Sequence, residues 1–257
     1  MGSSMSNRAA VVDTSRYQLQ VEGAPIKAAG FCGIISRCTI GTRYDGSAVG
    51  LKLEYYLRAQ QQAREHALIF GGYHVLWPEN RDPLAEAHHY LANSGETDLD
   101  VLDVELTGGR SAADVVGQAQ SWLERVAVSR GRLPLVYTGS WFWDAPGYVG
   151  GATPAGWERR YGLIEAEYTR QLPRGGVLPD QAPTGEPGDL SDGFDGWKFW
   201  QWTSSGRPFG VQSQSLDYSI FNGTEEELRA YLGLGPKPVT IEEKVERLWG
   251  AHPELHT

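Results

Sequence analysis

Trp197-Lys-Phe-Trp-Gln-Trp-Thr203 and Ser215-Leu-Asp-Tyr-Ser-Ile-Phe221 are two strand-like runs rich in aromatic and β-branched residues. A short Gly/Pro turn and no helical stretch separates them, so they read as an antiparallel hairpin-type pair. Upstream, six more apolar runs recur, at residues 9–14, 30–40, 68–76, 99–106, 133–138 and 163–168, several of them alternating with helix-like stretches. That is the pattern of a parallel α/β protein. Leu53, Tyr56, Ala59, Ala63 and Ala67 form one helical stripe, and Val115, Val116, Ala119, Trp122, Leu123 and Val126 a second. Ser111 with Asp114 caps that second helix, and Asp82-Pro83 opens a shorter one carrying Leu84, Ala87 and Leu91. Eight strands with helices missing at the end predict a barrel closed by its last two strands.

At 257 residues, 40% hydrophobic and 21% charged, the chain is long enough to bury a core without disulfide or metal. Its net charge of -9, from 23 basic and 32 acidic residues, excludes the basic face that nucleic acid or an anionic membrane requires and points to a neutral or small ligand. Cys32 and Cys38 on one strand would lie about 20 Å apart, beyond disulfide reach. Neither cysteine nor histidine spacing matches a zinc site, and His88-His89 reads as a solvated pair. The apolar run at 9–12 is too short for a secretory signal, so synthesis in the cytoplasm without membrane insertion is expected.

The division expected is a leader or disordered N-terminus over 1–8, a barrel over 9–233, and a linker with a C-terminal helix over 234–257. Thr224 with Glu227 caps a closing helix and Gly233 stops it. Thr240-Ile-Glu-Glu243 then caps a helix with Val245, Leu248 and Trp249 on one face, which either docks on the barrel or leads to another module. Residues 173–195 carry Asp180, Glu186, Asp189, Asp192 and Asp195 against Arg174 alone, and read as a long solvated loop.

The chemistry concentrates in Leu99-Asp-Val-Leu-Asp-Val-Glu-Leu106. Alternation in a strand puts Leu102, Val104 and Leu106 on a face under helices, and Val101, Asp103 and Glu105 on the face toward the lumen. Barrel enzymes place their sites at such strand ends. Two acids this close repel, so one should hold its proton near neutral pH, as glycoside hydrolysis needs. Asp13 and Asp217 end the first and open the last strand, which become neighbours when a barrel closes. Four acids at one mouth are better explained by a ligand site than by a core.

Asp13-Thr-Ser-Arg-Tyr-Gln18, Gly71-Gly-Tyr-His74, Leu102-Asp-Val-Glu105, Val136-Tyr-Thr138, Ala166-Glu-Tyr168, Trp200-Gln-Trp-Thr203 and Leu216-Asp-Tyr-Ser-Ile-Phe-Asn-Gly223 together resemble glycoside hydrolase family 25, the muramidases, many of them bacteriophage endolysins. The resemblance implies an irregular (β/α)5(β)3 TIM-like barrel, cleavage of the β-1,4 bond between N-acetylmuramic acid and N-acetylglucosamine, and no metal or other cofactor. It makes Glu105 the general acid/base, Asp103 either the nucleophile or the acid that orients the substrate's 2-acetamido group, and Asp13 and Asp217 flanking acids. Tyr73, Tyr137, Tyr168 and Gln201 fall where the family lines its groove.

The chain departs from the family at Tyr17, where Trp is frequent, in lacking a glycine after Gln18, and at Leu163-Ile-Glu-Ala166, where a Trp is common. Arg37 and Asp45, near the end of the second strand, are read as pairing with neighbours rather than binding substrate. The expected protein is an endolysin-type monomer that acts on wall peptidoglycan after release, aided by a separate wall-binding module C-terminal of Thr257, since a chain of -9 gains nothing from anionic walls. The alternatives are a chitin-cleaving barrel, or a noncatalytic wall-binding barrel, against which the retained acid pair argues.

Overall fold

The computed structural model describes residues 8–18, 20–42, 53–150, 155–169 and 173–236. Within them β1 (Ala10–Thr14), β2 (Gly33–Ile40), β3 (Ile69–Val75), β4 (Leu99–Asp103), β5 (Leu135–Thr138), β6 (Gly162–Ala166) and β7 (Trp197–Gly206) run parallel in chain order. β8 (Leu216–Phe221) closes the barrel antiparallel to both β7 and β1. Helices α1 (Gly23–Ala28), α2 (Glu54–Glu65), α3 (Pro83–Ser94), α4 (Ala112–Arg130) and α5 (Ser140–Trp143) follow the first five strands, and α6 (Glu225–Tyr231) trails β8. This is the (β/α)5(β)3 order that the family resemblance implies, and the barrel closed by its last two strands that their helix-free pairing predicts.

Strand alternation sorts the apolar residues into two shells. Val11, Ile35, Ile69, Leu99, Val101, Leu135, Ile164 and Phe199 fill the lumen. Val12, Ile34, Phe70, Leu102 and Val136 face outward against the helices, where Tyr56, Ala59, Ala119, Trp122 and Leu123 meet them. The α4 stripe is buried as its spacing predicts, and Ser111 Oγ accepts the Asp114 amide at 3.2 Å. The Thr224–Glu227 capping box at α6 also forms.

Several local readings are corrected. α1 and α5 are additional helices; six residues containing Gly23 and Pro25, and a single turn of Ser-Trp-Phe-Trp, are too short to show a period. α3 buries Glu86, Ala87, Tyr90 and Ser94 and leaves Leu84 half exposed, because the buried face includes a carboxylate that His74 and two other donors satisfy. β4 ends at Asp103, short of Leu106, which is exposed. The 173–195 loop has its five acids in solvent, yet it is not merely solvated. Glu165 Oε2 accepts the amide and hydroxyl of Ser191, both at 2.9 Å, Glu167 Oε2 accepts the Gly188 amide at 2.7 Å, and Asp144 Oδ1 accepts the Asp192 amide at 3.0 Å. Residues 1–7, Asp45 and the predicted helix beginning at Thr240 lie outside the described residues. Among the described residues no helix is long and apolar enough to cross a membrane.

Candidate active site

The register fixes which side chains meet at the C-terminal ends of the parallel strands. Asp13 pairs with Asp217 across β1 and β8, and Arg37 with Tyr73 across β2 and β3. Past the end of β4 the chain stays extended through its neighbours: the Val104 amide donates to Tyr137 O at 2.9 Å and Thr138 Oγ1 donates to Val104 O at 2.9 Å. Pinned outward at Val104, the backbone turns Glu105 toward the lumen side although it lies two residues beyond the strand.

All eight predicted site residues, Asp13, Tyr73, Asp103, Glu105, Tyr137, Tyr168, Gln201 and Asp217, line one cavity of about 150 Å³. Ile35, Val101 and Ile164 form its apolar floor. A larger cleft of about 840 Å³ shares Asp13, Tyr73 and Asp217 and extends past Ser15, Tyr17 and Gln18 on one side and Gln212, Gln214 and Arg174 on the other. The result is a deep acid-lined hole opening into a groove of amides, hydroxyls and an exposed tyrosine, a surface suited to sugar hydroxyls and ring faces.

Gln201 organises one wall. Its Oε1 accepts the hydroxyls of Tyr137 at 2.8 Å and Tyr168 at 2.9 Å, and its Nε2 donates to Asp13 Oδ2 at 3.0 Å. Ser219 Oγ donates to the same Asp13 oxygen at 2.8 Å. Five side chains thus hold one another in place before any ligand arrives.

Every acid here is held above its ordinary range, and burial is the first cause for each. Asp13 is pushed up to about 6, with the Gln201 and Ser219 hydrogen bonds opposing the rise. Asp217 reaches about 7, the charges of Asp13 and Glu105 adding to burial. Asp103 lies well above the carboxylate range through burial, then the charge of Glu105 and the hydrogen bond between the two. Burial also raises Glu105, against which the Asp103 hydrogen bond and Arg37 act. The pair therefore keeps a shared proton to higher pH than either carboxyl would alone. Asp103 Oδ1 is buried and has no hydrogen-bond partner among the described residues.

Sequence reading underrated Arg37. Its charge lowers the carboxyls of Asp103 and Glu105 and the hydroxyl of Tyr73, so it belongs to the electrostatics of the mouth, and its guanidinium lies 5.8 Å from the Tyr17 ring. Its inward parity on β2, two residues past Ile35, was the available signal. Ser219 was also missed; only its register two residues past Asp217 on β8 marks it. Among the described residues no group of three or more His, Cys, Asp or Glu is placed to hold a metal ion.

Comparison with known proteins agrees with this architecture. The chain is 29% identical over 224 residues to the uncharacterized protein YegX of Escherichia coli O157:H7, covering 86% of this chain and 72% of that one. It is 26% identical over 234 residues to Lysozyme M1 of Streptomyces globisporus, covering 85% and 69%. The crystal structure of the bacterial lysozyme from Streptomyces coelicolor shares the fold with a TM-score of 0.70 at 23% identity, over 87% of this chain and 96% of that one. The family model of glycosyl hydrolases family 25 matches residues 12–211. That match runs from β1 to the turn before β8 and takes in the β4 acid pair, and on it the chain belongs to glycosyl hydrolases family 25.

Proposed function

We propose that this glycoside hydrolase is an N-acetylmuramidase, which cleaves the β-1,4 bond between N-acetylmuramic acid and N-acetylglucosamine in peptidoglycan glycan strands. The convergence of Asp13, Asp103, Glu105 and Asp217 in one small cavity carries the reading, since burial and mutual repulsion make it proton-rich near neutral pH. The lysozymes of the two Streptomyces species supply the substrate class.

In this reading substrate binding moves the pair's shared proton from Asp103, the more strongly raised of the two, to Glu105 at the glycosidic oxygen, and Asp103 is then the carboxylate. Its unpartnered Oδ1 is an acceptor for the N–H of the 2-acetamido group, which favours the substrate-assisted route over direct attack by Asp103. The acetamido oxygen bonds to C1 as the C1–O bond to the leaving sugar breaks, and Glu105 gives its proton to the oxygen of the leaving sugar. Glu105 then takes a proton from water as the water opens the cyclic intermediate, so the anomeric configuration is retained. Asp13 and Asp217 hold sugar hydroxyls or water, and the charge of Asp13 helps raise Asp103.

Digesting purified peptidoglycan and, in parallel, chitin tests the specificity. New N-acetylmuramic acid reducing ends from peptidoglycan, read by mass spectrometry, are expected. N-acetylglucosamine ends, or cleavage of chitin alone, would overturn the muramidase assignment. With it we place the chain as an endolysin-type monomer, released from the cytoplasm onto the wall and directed there by a separate module. The acidic balance supports that last point, and tight wall binding by the isolated chain would count against it.

A further inference from the structure

At the opposite end of the barrel a second cavity, of about 370 Å³, opens among the N-terminal ends of β5, β6 and β7 and the end of α6. Its chemistry is the reverse of the mouth's. Arg160 and Lys198 line it, and among the described residues neither has a carboxylate within ion-pair distance. Each instead lies near an aromatic ring of the same cavity: the Arg160 guanidinium is 5.9 Å from the Tyr161 ring and Lys198 Nζ is 5.5 Å from the Tyr231 ring.

Two donors on this lining are buried with no acceptor among the described residues, the Tyr161 hydroxyl and Arg132 Nε. The rest of the Arg132 head is fixed, since its Nη2 donates to Thr97 O, Thr97 Oγ1 and Asp100 Oδ2 at 2.7, 2.8 and 2.6 Å. Both acids of the lining already have partners. Asp195 lies 3.8 Å from Arg159, and an Asp98 oxygen accepts the Phe70 amide at 2.8 Å.

On a chain of net charge -9, a locally cationic pocket is where an anion can approach. The volume exceeds what a bare oxyanion fills and falls in the range of small-molecule sites. Beside the cations, Tyr231 and Leu133 are 44% and 48% exposed, leaving apolar faces of the kind on which a sugar ring rests. Gly162 keeps this wall open, because a Cβ there would sit 2.7 Å from Tyr231 Oη and 2.8 Å from Lys198 Cγ.

We infer that this cavity binds a phosphorylated sugar, with the phosphate held by Arg160 and Lys198 and the ring lying against Tyr231 and Leu133. Free sugar phosphates and the glycosyl-phosphate repeats of anionic wall polymers share that chemistry. The site is independent of the reaction at the mouth.

The test is an NMR titration of amide shifts with N-acetylglucosamine 1-phosphate, against inorganic phosphate and uncharged N-acetylglucosamine. Shifts are expected at Leu133, Gly162 and Tyr231, with affinity about tenfold weaker in the double variant Arg160→Gln/Lys198→Gln and unchanged in Glu105→Gln. A purified polymer of glycosyl-phosphate repeats that binds about tenfold tighter than the monomer would identify the polymer as the source; equal affinity would identify the free sugar phosphate. Shifts confined to the mouth, no saturable binding, or full affinity in the folded double variant would overturn the site. Inorganic phosphate binding as tightly as the sugar phosphate would overturn the sugar half of the inference.

Discussion

Replacing Asp217 by asparagine should make the protein more stable at alkaline pH while impairing the site. The carboxyl is raised from an ordinary 3.8 to about 7, first by burial and then by the charges of Asp13 and Glu105. A carboxyl raised in the folded state binds its proton more tightly there than in the unfolded chain, so native stability falls as pH rises between those two values. At about 1.36 kcal/mol per pH unit, full ionisation removes about 4 kcal/mol. Asp217 still borders the open groove, where water screens its charge, and about 2 kcal/mol is the better expectation. For a chain of this size that corresponds to a melting-temperature gain of about 4–8 °C for Asp217→Asn at pH 8, shrinking toward zero by pH 4. Thermal melts of both proteins across that range decide it. A variant that melts at or below the wild type at pH 8, or gains as much at pH 4, would refute the reasoning.

The hydrogen-bond network gives a second expectation. Gln201→Leu removes one of two donors to Asp13, and its carboxyl should titrate about one pH unit above its present value of about 6, read by carbon NMR. Arg37→Gln removes the cation that lowers Asp103 and Glu105, so the alkaline limb of the pH–rate profile should move upward. Glu165→Ala strands the Ser140 amide and the amide and hydroxyl of Ser191, costing about 2–4 kcal/mol in urea unfolding and exposing the 173–195 loop to proteolysis before the barrel unfolds.

The strands and the site acids were legible because a barrel turns parity into position. Once residues 99–106 read as a strand, Asp103 and Glu105 had to face the lumen, and the pairing of the first and last strands brought Asp13 and Asp217 to the same rim. The tyrosines and Gln201 came from the family resemblance, because an aromatic at a strand end reads equally well as core. Glu165 was opaque for a different reason. It is an outward-facing acid on β6 whose burial depends on a loop some 25 residues later folding back to donate to it, and no local pattern encodes that closure. Arg37 had the right parity, but its weight comes from carboxyls at and just past the end of β4, which the pairing of β3 with both β2 and β4 brings near.

The central claim is that Glu105 performs the chemistry while the groove performs the binding. Turnover and glycan-strand affinity of Glu105→Gln, measured separately on purified peptidoglycan strands, test it most directly. The account predicts affinity within about threefold of the wild type and turnover reduced by about 10²–10⁴-fold. Turnover close to that of the wild type would contradict it.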